Sequence, residues 1–246
     1  MEDVWFVSLG LFAFLIAYAI YMLFTFRIDP RYSLNYKKSP SFQRLLWLPS
    51  LEKTILLLLL AVFALVPQRD LLTVFNLDAL QLSPYAVMFG ILSGVLIFLG
   101  GLPVNFLISA MRRRFSVQPT RRELALSQLL AGSISKAPSR FFLSVFFASV
   151  LAAVLEEVVF RGYLLGHLLI FVLPLVAVFV QAVFAFVPQL YQGVYNGLLS
   201  LYGALLFGAV FVLSGSLLAA ILAHLTQEVV GFMFTFSSVR SKKQTG

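Results

Sequence analysis

Glu156 and Glu157 stand side by side in an apolar stretch, FFLSVFFASVLAAVLEEVVFRGYLL, and Arg161 follows the second by four residues. A carboxylate at bilayer depth costs at least about 2.5 kcal/mol on insertion scales, so two in a row must be paired, hydrated or protonated in a polar cavity. On a helix, residues four apart sit about 40° apart around the axis, which puts Glu157 and Arg161 on one face. Glutamate precedes arginine, the better order for such a pair. Glu156 is rotated by about 100° and can face another neighbour. One carboxylate is then held by the guanidinium while the other takes and returns protons, the division of labour that a general base and its electrostatic partner require. The bland alternative is a buried ion pair that fixes helix packing, but packing needs only one glutamate.

A second group lies near the end of the chain, His224-Leu225-Thr226-Gln227-Glu228. His224 and Glu228 are four apart and face the same way. A lone histidine in a membrane helix is more often a helix-to-helix hydrogen bond; with three carboxylates in the two stretches, a converged site is the better reading. Imidazole and carboxylates suit zinc or another divalent ion, with Glu156, His224 and Glu228 as the candidate ligands. They equally suit a water activated by a glutamate base, with the imidazole steadying an oxyanion. His167 lies near a span end and reads as interfacial.

The elements that must carry these residues are transmembrane helices. Hydrophobic residues make up 61% of the chain and charged residues 11%, against about 45–50% and about 25% for a soluble domain. The mean hydropathy is +0.96. The predicted fold is an all-α, polytopic membrane helix bundle, a single integral membrane domain over residues 1–246. About seven spans fit: Val4–Phe26, Thr54–Gln68, Tyr85–Met111, Arg140–Leu165, Leu168–Val187, Gly197–Ser214 and Ser216–Val239, each near the roughly 20 residues a bilayer demands. The second is short, and Lys53 and Arg69 must reach to the interfaces. Gly100-Gly101-Leu102-Pro103 should kink the third. The acidic start, Met1-Glu2-Asp3, is unlike a secretory signal, so the first helix reads as retained.

With the N-terminus outside and the C-terminus cytoplasmic, two basic loops and the basic tail fall on one side. They hold all but two of the 18 Lys and Arg residues, the exceptions being Arg69 and Arg161. The positive-inside rule makes that side cytosolic. The formal charge of +8 thus reflects topology and anionic lipid, and no nucleic-acid partner is expected, since basic residues flank spans without interleaved exposed aromatics. The chain has no cysteine, which excludes disulfides, thiolate zinc sites and a cysteine nucleophile. A multi-pass protein of the plasma (inner) membrane is expected.

The run Glu156-Glu157-Val158-Val159-Phe160-Arg161-Gly162 resembles the EExxxR signature of the CPBP family of intramembrane proteases, also called the CAAX-protease or Abi family. Ser214-Gly215-Ser216-Leu217 and the helix bearing His224 are similar to the family's small-residue turn and last-histidine helix. The resemblance covers about residues 140–234. It implies cleavage of a membrane-embedded or lipidated peptide, with Glu156 activating water, Glu157 and Arg161 supporting it, and His224 binding the oxyanion or a metal. Two positions depart from the pattern. The family's middle motif is FxxxH, and its counterpart here is Phe184-Ala185-Phe186-Val187-Pro188, with Gln189 adjacent as a supporting hydrogen-bonding group. Its last motif is HxxxN, and here Glu228 stands at the final position. Losing an oxyanion donor typically costs 10²–10³-fold in rate. The expectations are therefore a CPBP-type intramembrane endopeptidase, an inactive homologue serving as subunit or scaffold of a larger membrane complex, and, third, a small proton-coupled transporter.

Overall fold

The computed structural model describes residues 2–28, 54–61, 74–80, 82–116, 138–192 and 194–244. Within them the chain is helical, without strands. α1 spans Glu2–Ile28, α2 Pro84–Arg114 and α3 Pro138–Glu157. α3 continues as a π-helix over Val158–Leu165 and a last α-turn, Gly166–Leu168. α4 spans Pro174–Phe186, α5 Val194–Ser214 and α6 Leu217–Gln244. Described helix falls in each of the seven expected segments. Three stretches are long and apolar enough to cross a membrane, Pro84–Arg114, Gly197–Ser214 and Leu217–Phe234; Leu9–Met22 and Pro174–Leu190 are shorter apolar helices. The distal part of the second span, with Lys53 and Arg69, and most of both basic loops lie outside the described residues.

The solvent is written on the surface of α2. Met88, Leu92, Leu96, Phe106 and Leu107 are exposed, as a lipid-facing helix requires once its backbone groups are satisfied internally. The opposite face packs on α6 in the most extensive contact of the bundle. Gly90 and Gly94, four apart, meet the backbone at Ala219 and Ala223; close approach through small residues is the usual way membrane helices associate. Gly90 faces Ala219 and Leu222, Gly94 faces Ala223 and Thr226, and Phe98 meets Phe234 edge to face. Both numberings rise together, so α2 and α6 run parallel. Arg112, Arg113 and Arg114 at the end of α2 and the sequence Arg240–Lys243 at the end of α6 thereby lie at one end of the bundle.

One turn differs from the sequence reading. The break between the fourth and fifth spans falls at 169–173 rather than 166–167, because the helix continues through Leu168 and Pro174, at N1, starts the next one. α2 runs as one helix through Pro103, the position at which a kink was expected. There Gly100 admits the Tyr202 hydroxyl, which donates to the Ile97 carbonyl at 3.2 Å, tying this stretch to α5. Between α5 and α6 the chain reverses in two residues. Gly215 takes φ +63°, a conformation glycine adopts without a Cβ penalty. Ser216 then caps α6, its hydroxyl accepting from Ala219 N at 3.3 Å.

A side chain at Gly94 would place its Cβ 2.4 Å from the Ala223 carbonyl oxygen, whereas Cβ at Gly203 meets nothing closer than 3.5 Å. Gly94→Val should lower the melting temperature in detergent markedly, within the roughly 1–3 kcal/mol cost of overpacking, and Gly203→Ala should not. Thermal unfolding of both variants checks this.

Candidate functional site

The site is built where the sequence conflicts most with its surroundings. Every residue from Val159 to Leu165 is buried, so the π-helical segment is the centre of the bundle. A π-helix bonds i to i+5 and is found mostly as short insertions, often at functional sites; here Gly166 N reaches back five residues to the Arg161 carbonyl. A turn from another part of the chain braces it. Asn76, at φ 50°, donates from Nδ2 to the Gly162 carbonyl at 2.9 Å. Gly162 and Gly166 leave room for that turn, since a Cβ on either would collide with the Phe75 carbonyl or the Asn76 amide.

At the start of this segment Glu157 and Arg161 are both fully buried. Arg161 Nη1 lies 3.0 Å from Glu157 Oε1, close enough for an ion pair but not aligned as a hydrogen bond. The same Glu157 oxygen is 2.7 Å from His224 Nδ1 on α6. His224 Nε2 faces Glu228 Oε1 at 3.5 Å. Arg161 Nη2 donates to the Ala204 carbonyl on α5 at 3.0 Å. Phe207, one turn further on α5, stacks on the His224 ring (4.4 Å between centroids) and lies 5.5 Å from the Arg161 guanidinium carbon. Three helices thus meet around the Glu157–Arg161–His224 group, and four ionisable groups from two distant stretches form one continuous polar chain.

Glu156 is half-buried, one residue before the ion pair. Gln189 lies on a 3-10 turn, Val187–Gln192, beyond the end of α4. α4 instead brings a different side chain to the network. Gln181 is fully buried and donates from Nε2 to the carbonyls of Val178 (3.0 Å) and Ala204 (2.9 Å), sharing the second acceptor with Arg161. The sequence reading passed over it while seeking a histidine downstream of Phe184. Its signal was present: Gln181 is the one polar residue in PLVAVFVQAVFAF. Phe207 and Ala204 gave no comparable sign. His167, expected at the interface, is buried against Gly10 of α1; its Nδ1 is 2.7 Å from the Tyr163 carbonyl oxygen and its ring stacks on Tyr163. It belongs to helix packing on the α1 side.

Several buried polar atoms of this network have no hydrogen-bond partner: Glu157 Oε2, Glu228 Oε2, Gln181 Oε1 and Arg161 Nε. An unsatisfied buried polar atom costs about 1–3 kcal/mol, so such a group requires an occupant. Three of the four are acceptors, which suits water or the N–H groups of a peptide. A divalent ion fits less well. Among the described residues no three His, Asp or Glu side chains are grouped to hold a metal, and each His224 nitrogen faces a carboxylate oxygen.

Residues 138–230, running from α3 into α6, match the family model of type II CAAX prenyl endopeptidases, Rce1-like. This match supports membership of the CPBP, or CAAX-protease, family for that part of the chain. No curated protein and no solved structure matches it at a significant level.

Glu157→Gln keeps the shape of the side chain but strands the Arg161 guanidinium in the core. Breaking one partner of a buried pair costs about 3–5 kcal/mol, so this variant should melt well below wild type, while Glu156→Gln, at a half-buried position, should melt close to it. Thermal unfolding in the same detergent compares them.

Proposed function

We propose that this protein is an intramembrane endopeptidase in which a glutamate-activated water cleaves a peptide bond of a membrane-embedded or lipidated substrate. One observation carries the reading: a fully buried carboxylate, Glu157, is saturated on one oxygen by Arg161 and His224 and left unpartnered on the other, beside further unpartnered acceptors.

In this reading Glu156 takes a proton from water. The resulting hydroxide adds to the scissile carbonyl carbon and its oxygen becomes an oxyanion. Arg161 supplies positive charge beside it, through the N–H groups that lack aligned acceptors. His224 supplies an N–H once Glu228 leaves Nε2, a loose 3.5 Å contact. Glu156 then returns its proton to the leaving amine as the C–N bond breaks. Glu157 positions Arg161 and His224. The basic ends of α2 and α6, which the parallel packing puts at one end of the bundle, mark the cytosolic face, with the plasma membrane as the site of action.

The same 3.5 Å contact favours a second reading. Glu228 stands against the nitrogen that an oxyanion would need, so a non-catalytic family member, retained as a subunit of a larger membrane complex, also accounts for it.

Purified protein should cleave membrane-embedded or prenylated peptides, and Glu156→Ala should lower the rate by about 10²-fold or more, the usual contribution of a general base. Cleavage unaffected by the substitution would remove the protease assignment. No cleavage, with a stoichiometric partner in the purified sample, would favour the subunit reading.

A further inference from the structure

The network extends one helix beyond the family signature, and the extension is specific. Gln181 has one side-chain N–H₂ group, and both hydrogens are committed, to Val178 O within its own helix and to Ala204 O on α5. The reversed amide would set its oxygen against two carbonyl oxygens, so the orientation is fixed. Ala204 O has two lone pairs, and the second donor is Arg161 Nη2. Gly208, one turn along α5, makes space for this amide: a Cβ there would lie 2.6 Å from Gln181 Nε2. Gln181 Oε1 is left buried and without a partner.

We infer that Gln181 is a positioning residue of the reaction centre, fixing the α4–α5 spacing at the Ala204 carbonyl that anchors Arg161, and offering Oε1 as an acceptor for the attacking water. The inference rests on the hydrolase reading for its kinetic part only. It assigns α4 a hydrogen-bonding role where the resemblance calls for an imidazole. It also explains why the side chain is an amide: a hydrocarbon of the same length leaves the Arg161 anchor tied to one helix, and a carboxylate has no N–H to give.

The test measures kcat and KM for cleavage of a single-span peptide in detergent, with melting temperatures for every variant. Gln181→Leu should lower kcat about tenfold or more with KM within about twofold, the pattern of an interaction used in the transition state. Gly208→Ala, which leaves Gln181 in place but displaces its amide by contact with a flexible side-chain end, should do the same at a near wild-type melting temperature. Gln181→His, whose ring N–H can donate to Ala204 O, should recover most of the lost kcat. Wild-type kcat in both Gln181→Leu and Gly208→Ala, or a rise in KM alone, overturns the inference. If the wild type proves inactive, the hydrolase reading fails by itself. The positioning claim is then decided by melting temperatures of Gln181→Leu, Arg161→Met and the double variant: the two effects should be non-additive, and simple additivity contradicts it.

Discussion

A charged pair in a hydrocarbon-facing bundle is tolerable only if each charge is compensated locally, and around Glu157 that requirement organises the rest of the molecule. Its Oε1 sits 3.0 Å from Arg161 and 2.7 Å from His224. Those partners come from the π-helical end of α3 and from α6, so the contact fixes how the two elements cross. Arg161 in turn binds the Ala204 carbonyl of α5, and Gln181 of α4 binds the same oxygen. Four helices are thereby tied through one buried polar chain. Removing its centre leaves charge without compensation, which is costlier than never having had it.

The apolar structure serves this chain. Gly90 and Gly94 let α2 lie against the backbone of α6, holding the helix that carries His224 and Glu228. Phe207 fills the space between imidazole and guanidinium. On the far side of α3, the Phe75–Asn76 turn presses on Gly162 and Gly166, and Asn76 supplies a donor to a carbonyl of the widened helix. Low local dielectric strengthens each of these contacts and also raises the cost of each atom left unpaired. That tension is what makes the unpartnered Glu157, Glu228 and Gln181 oxygens informative about function.

Much of this was legible from residue types because the cost of charge in lipid is so high. Glu157 and Arg161 could be paired from their spacing alone, and His224 with Glu228 likewise, since i and i+4 share a helix face. The parallel course of α2 and α6 accords with spans three and seven both running in one direction. What escaped was set by tertiary contact. The π-helix has no pattern in VVFRGYLL that distinguishes it from an α-helix, and the fourth span therefore seemed to end before Gly166. Gln181 was visible as a polar residue but had no partner in the sequence, because its acceptor is the backbone of Ala204. His167 looked interfacial from its place near a span end, while the packing of Gly10 against its ring depends on α1, far away in the chain.

The account stands or falls on the meeting of Glu157 with His224, and the chain offers a clean probe because it has only two histidines. In a His167→Gln background, a ¹⁵N-histidine-labelled sample in bilayers reports on His224 alone. Solid-state NMR should show its Nδ1 resonance move when Glu157 is changed to Gln and stay in place when Glu156 is changed to Gln. An Nδ1 signal indifferent to Glu157 would mean that carboxylate and imidazole do not touch, and the polar chain through the bundle would not exist.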